Sequence, residues 1–229
     1  MTIPNKLQIT SNWSTLEDKP LTRDSLAELF ANGIPCVRHE GFLSPGECER
    51  MGHYDPDLIF PLLSSVGITQ FDCAQDMEKY FSLVDPARSL QDRFIREVGV
   101  DIIARVKDVL HEASGLPVRL ARQDDKEYFA GILRVVEGNF IAPHADFGPF
   151  NDENLEIGKV VSQITWNVLL KSVPGGETLV HDRPWQGASD DKKYQKERPR
   201  YAYSPKVFEG SISKVIAPVE GDLTFFNSR

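Results

Sequence analysis

The chain has 229 residues, a formal net charge of −8, and 41% hydrophobic and 10% aromatic residues. This is enough apolar material for one sizeable core, and basic residues interspersed with acids argue against a duplex nucleic-acid binder, which needs a basic face. Three widely spaced cysteines (Cys36, Cys48, Cys73) without a Cys-x-x-Cys exclude a disulfide framework or zinc knuckle as the organising device.

No apolar run approaches the roughly 18–20 residues of a bilayer span. The opening "MTIPNKLQITSNW" lacks the basic and apolar regions of a signal peptide. The expectation is a soluble, cytoplasmic chain with no membrane or nucleic-acid partner, acting on a small molecule. Its oligomeric state is not readable from the sequence.

In chain order, "TRDSLAELFAN" (Thr22 to Asn32) predicts a helix stopped by Gly33, and "IPCVR" (Ile34 to Arg38) a buried strand. "SPGE" (Ser44 to Glu47) is a capping box with proline at the first helical position, a fairly specific helix start. A strong helix is predicted from about Asp92 to Ser114. Ile95, Val98, Ile102, Val106, Val109 and Ala113 recur there at three- and four-residue steps, ahead of Gly115 and Pro117.

Beyond Pro117 the texture turns to β. "YFAGILRVVEGNFIAPH" predicts a strand, a Glu-Gly-Asn turn and a second strand. "KVVSQITWNVLL" (Lys159 to Leu170) and "KSVPGGETLVHD" predict further strands, and "SISKVIAPVEGDLTFFN" two more. The acidic-basic run "DDKKYQKERPR" (Asp190 to Arg200) reads as a solvated loop, or as a lid that reaches for an anionic substrate. Helices first and short strands later predict an α+β chain whose second half is an antiparallel sandwich or barrel.

Five histidines in an Asp-rich chain make His-x-Asp a weak motif alone, and it occurs twice. His53-Tyr54-Asp55 lies in "GHYDPDLIF", where nothing β-like flanks it, and reads as a surface loop. His39 and His111 read as exposed. His144-Ala145-Asp146 closes the predicted hairpin. On a strand, residues two apart project to the same side and can grip one ion. A neutral imidazole and a carboxylate, with one more His, make the facial triad of non-heme iron oxygenases. The plainer reading is a His–Asp hydrogen bond at a strand end.

From about Phe129 to Arg229 the order of these segments resembles the iron(II)/2-oxoglutarate-dependent oxygenases. "RVVEGNFIAPH", "VPGGETLV" and "GDLTFFN" are particularly similar to a branch holding an N-succinyl amino-acid hydroxylase and the aliphatic halogenases of indole-alkaloid biosynthesis. The resemblance implies a double-stranded β-helix (jelly-roll) core over 118–229, mainly helical support over 1–117, and one oxygenase domain over 1–229. It implies Fe(II), 2-oxoglutarate and O2, with His144 and Asp146 as metal ligands and catalytic residues. The halogenases carry a small residue where Asp146 stands, so the resemblance implies hydroxylation of an unactivated carbon. Its third ligand, a distal His, and the basic residue for 2-oxoglutarate are expected just beyond Arg229, so the jelly-roll core reads as C-terminally incomplete. His181 is the substitute ligand to consider, although a polar strand end beside Asp182 is the simpler reading.

Three residues are expected to hold the co-substrate. Arg134 lies in the apolar "ILRVVEG", where it meets a ligand carboxylate or else pairs with a neighbour or faces outward. Gln163 and Asn167 share one face of "SQITWNVLL", either lining a barrel or facing solvent. Phe147 and Trp185 are placed near the mouth, as substrate contacts or as core. Two rival functions share the predicted scaffold: a jelly-roll binding protein without catalysis, and a cupin-like metalloenzyme without 2-oxoglutarate chemistry.

Overall fold

The computed structural model describes residues 11–52, 63–73, 76–136, 141–194 and 202–229. Its centre is a four-stranded sheet with the order β1 (Lys19–Pro20), β2 (Cys36–His39), β10 (Leu223–Asn227) and β7 (Ile164–Val168). β1 runs parallel to β2, whereas β10 is antiparallel to both β2 and β7. Phe225 stands opposite Val37 on one side and Trp166 on the other. The period-two alternation of a strand then sends Leu223 and Phe225 to one face and Phe226 to the other.

The first face is covered by helices. Leu29 of α1 (Arg23–Phe30), Cys48 and Met51 of α2 (Pro45–Gly52), Val98 of α3 (Met77–Val98) and Val106 of α4 (Ile102–Ser114) pack on Val37, Leu223 and Phe225. The opposite face meets an antiparallel pair of β8 (Thr178–His181) and β9 (Ser213–Ile216), whose Val180 and Ile216 pack with Trp13, Cys36 and Phe226. Two smaller antiparallel pairs complete the sheet structure. One is β3 (Leu63–Val66) with β6 (Leu133–Val136), and the other is β4 (Arg122–Gln123) with β5 (Lys126–Glu127). The fold is therefore mixed α/β with several antiparallel pairings, and the described strands close no barrel. Its central sheet crosses the predicted boundary at 117, because β1 and β2 come from before it.

Local signals explain where the elements begin. Thr22 caps α1, its hydroxyl accepting from the Ser25 N–H while Ser25 returns a bond to the Thr22 N–H. Glu47 accepts from the Ser44 N–H at 2.9 Å, and its own N–H donates to Ser44 Oγ at 3.4 Å, which is the capping box read from the sequence.

The helix predicted from Asp92 to Ser114 is instead two helices. Gly99 takes a left-handed φ of 79° and ends α3, donating its N–H to Ile95 O; Asp101 caps α4 through the Ala104 N–H. The apolar stripe continues across the break, which is why periodicity alone hides it.

The "GD" ahead of β10 also has a structural cause. Gly221 has a φ of 83°, and a Cβ there would lie 2.4 Å from Leu43 O, a contact only glycine accepts. Asp222 accepts from the Gly41 N–H and pairs with Arg38, which also binds Asp18 and the Ala217 carbonyl. No helix among the described residues is long and apolar enough to cross a membrane.

Candidate functional site

The segment bearing His144 and Asp146 is not a strand. β6 ends at Val136, residues 137–140 lie outside the described residues, and 141–147 form an irregular stretch leading into the short helix α5 (Gly148–Asn151). Pro143 has no N–H to give a ladder. Single contacts hold the stretch instead. The Tyr203 N–H donates to Pro143 O at 2.9 Å, and the Asp146 N–H to Ser228 O at 2.8 Å. Ser228 Oγ donates back to Asp146 O at 3.0 Å. The end of β10 is thus strapped to the His-x-Asp backbone.

His144 Nδ1 lies 2.8 Å from Ala142 O. A carbonyl oxygen can only accept, so Nδ1 carries the proton and the lone pair of the neutral ring is on Nε2. Nε2 is 3.7 Å from Asp146 Oδ2, and both side chains are more than a third exposed. That separation is too long for a hydrogen bond but shorter than twice a typical metal–ligand distance of about 2.1 Å. One ion can therefore touch both atoms. Among the described residues, no group of three His, Cys, Asp or Glu side chains could hold a metal together. The pair thus has two donors suited to a hard, borderline cation.

Asp146 also borders a cleft of about 390 Å3, of the size that takes small molecules. Its apolar lining includes Tyr128, Phe129, Phe147, Ile157 and Ile164; its polar lining includes Gln70, Asn151, Asp152 and Gln163. Close backbone packing shapes this wall. A Cβ on Gly148 would come 2.4 Å from Ile157 O, and one on Gly158 would come 2.2 Å from Asp152 O. Gln163 Oε1 accepts from the Gly148 N–H at 2.8 Å, fixing the start of α5.

Of the residues expected to hold a co-substrate, Gln163 alone faces this cleft. Arg134 is exposed on β6, which pairs with β3 rather than joining the central sheet. Asn167 is exposed on β7 opposite Thr224, away from the cleft. His181 does not approach the pair. It stacks on Phe208 at 3.8 Å between ring centroids, and burial lowers its pKa. The second His-x-Asp, at His53, lies outside the described residues. Of the other histidines expected at the surface, His111 is exposed, while His39 is half-buried with its ring edge against Phe42.

Phe147 lines the cleft, and Trp185 is buried behind it, its Nε1 donating to Asp191. Both belong to one aromatic cluster with Tyr203 and Val207. The Arg229 guanidinium lies over the rings of Phe147 and Phe150, at 4.8 and 5.1 Å. The run from Asp190 begins as helix α6 (Ala188–Tyr194) rather than as loop, and Asp190 is buried in a two-bond pair with Arg183. Residues 195–200 lie outside the described residues.

Sequence reasoning missed Asp152, Gln70, Tyr128 and Ser228. Only Asp152 had a visible signal, an acid six residues beyond Asp146 after a Gly-Pro turn.

Fold and site define a mixed α/β protein with a small-molecule-sized cleft bordered by the carboxylate of a His–Asp pair. No family model matches the chain. It is 46% identical over 192 residues to "Leucinostatins biosynthesis cluster protein S" of Purpureocillium lilacinum, covering 80% of this chain and 79% of that protein. The chain belongs to the family of that protein.

Proposed function

We propose that the chain is an iron(II)/2-oxoglutarate-dependent dioxygenase that hydroxylates an unactivated carbon of a small molecule in secondary metabolism. The observation that carries this reading is the His144–Asp146 pair, with its tautomer set by Ala142 O and its carboxylate bordering the cleft. The resemblance of "GDLTFFN" and its companion motifs to that oxygenase family supports it, as does a relative named for a biosynthesis cluster. In this reading β7, β8, β9 and β10 belong to a double-stranded β-helix, to which the facing pairs β7–β10 and β8–β9 are suited.

His144 Nε2 and Asp146 Oδ2 would hold the iron, and the third ligand would come from outside the described residues. Ferrous iron with 2-oxoglutarate and O2 supplies the oxidising power. The chain's residues position and shield. Ala142 O holds the ring orientation of His144, and such supporting bonds typically matter about 10–100-fold in metal affinity. The Ser228 strap holds Asp146, while Phe147, Ile157 and Ile164 keep water from the substrate carbon. A carboxylate at 146 occupies the position where the halogenases leave room for chloride, so hydroxylation is the expected outcome.

Succinate release from 2-oxoglutarate, with Fe(II), ascorbate and candidate amines and amino-acid derivatives, tests the proposal. Iron affinity of the unaltered chain and of Asp146→Ala is measured alongside. No succinate with any candidate, together with unchanged iron binding in Asp146→Ala, would sink it. A second reading, a binding protein without catalysis, is favoured by the two-donor set among the described residues. It predicts ligand binding that is indifferent to iron.

A further inference from the structure

The cleft that Asp146 borders has an uneven charge. Of its lining residues, two are ionisable acids, Asp146 and Asp152, and none is a lysine, arginine or histidine. An anionic group placed there meets two carboxylates and no cation in the lining itself, the Arg229 guanidinium being engaged over the rings of Phe147 and Phe150, so the lining favours cations over acids.

Asp152 is the more telling of the two acids. It follows α5, and its position is set by the close approach of Gly158 to its carbonyl. Burial pushes its carboxyl pKa up, and the neighbouring Gln70 side chain pulls it partly back. Its Oδ2, however, is shielded from solvent and has no hydrogen-bond partner among the described residues. An acceptor withdrawn from water and left without a donor is costly unless a ligand supplies one. Rotation about the Cβ–Cγ bond of an aspartate is soft, so that oxygen can turn toward a cleft occupant at little cost.

The surroundings carry the same sign. Burial, then the negative charge of Asp152 and of Glu156 and Asp124, pushes the neighbouring Tyr128 phenol up to about 12. The apolar side chains of Phe129, Phe147, Ile157 and Ile164 add a surface for a hydrocarbon body.

We infer that the cleft takes a substrate with a protonated amine on an aliphatic body, and that Asp152 is the residue that anchors the amine. The inference deepens the proposed function and rests on it in one respect. An ion held by His144 and Asp146 would use the charge of Asp146, leaving Asp152 as the cleft's unneutralised acid.

The test is a metal-free titration of the full chain with three probes of one skeleton: 3-methylbutylamine, 3-methylbutanol and 3-methylbutanoate. Affinities are read by calorimetry and by backbone amide shifts. The amine is expected to bind about tenfold or more tightly than the alcohol, and the acid not at all. The Gly148 and Asp152 amides should move on adding the amine. In Asp152→Asn, amine affinity should fall several-fold, with Asp146 alone left to attract the amine in the metal-free chain, while alcohol affinity stays unchanged.

Equal binding of amine and alcohol, still amides at 148 and 152, or an Asp152→Asn variant that keeps the preference would each overturn the inference. Should Asp152→Asn fail to fold, the probe comparison and the amide shifts on the unaltered chain decide alone. Failure of the dioxygenase reading looks different: no succinate and no iron effect, with the amine preference intact.

Discussion

The central sheet and the cleft wall solve opposite problems. β2 and β10 hold one another through an antiparallel ladder, and Leu223, Phe225, Ile34 and Val37 beside them are fully buried. The wall from Ala142 to Asn151 has no ladder. It depends on the Ser228 strap, one bond from Tyr203, the Gln163 bond to Gly148, and glycines that permit backbone contact. Redundant apolar burial makes the first region tolerant in detail and expensive to break. Few, specific polar bonds make the second cheap to alter and easy to misplace.

That contrast should be measurable as a descending series. Phe225→Ala removes a fully buried ring from the sheet core and is expected to cost about 3–5 kcal/mol in urea unfolding. A loss below about 1 kcal/mol would mean that the sheet is not the main core. Arg38→Met leaves the buried Asp222 without its cation, while Asp18 keeps Lys214, and should cost about 3 kcal/mol. Gly148→Ala drives a Cβ against Ile157 O, so a cost of about 1–3 kcal/mol is expected, together with loss of probe binding in the cleft. Retained binding would show that the wall yields more readily than its packing suggests.

Arg105→Met tests a surface pair that staples α4 to the start of α2. The Arg105 guanidinium, then the Ser44 N–H, lowers the Glu47 pKa from 4.5 to about 2. A depressed carboxyl stabilises the fold above its unfolded pKa and loses that contribution as pH falls through the folded value. The pair is partly exposed, so screening leaves a difference between parent and variant of about 1 kcal/mol above pH 5. This difference should shrink between pH 4.5 and 2; a constant difference across that window would assign the effect to packing.

The smallest change in stability belongs to the largest change in function. His144→Ala and Asp146→Ala alter side chains that are more than a third exposed, so unfolding free energy should stay within about 0.5 kcal/mol of the parent. Iron binding and succinate formation should nevertheless fall to background. Loss of folding instead of metal binding would erase the division between the two regions.

Much of the sheet region was readable from local pattern. The strand signals in "IPCVR" and "GDLTFFN", the capping box at Ser44 and the stop at Gly115 each report a short-range physical preference, and each appears in the fold. Gly99 shows the limit of such reading: one apolar stripe serves two helices, since both bury it on the same core. In the site, the pairing of His144 with Asp146 was readable as spacing, but its basis was not. A strand was expected, and an irregular segment held by Ser228 and Tyr203 stands there. For Arg134 and Asn167 the sequence left a ligand-facing and an outward-facing reading open, and both side chains are exposed. Period two assigns residues to opposite faces without telling which face is covered.

From the sequence alone came the acidic, core-forming character of the chain, most of its strands, and the His-x-Asp candidate, because composition, periodicity and capping act over a few residues. The tertiary structure decided that β2 lies between β1 and β10, that Ser228 meets Asp146 across 82 positions, and that Asp152 shares a cleft with it. Those are contacts between distant segments, set by which apolar faces bury one another, and no local pattern encodes them.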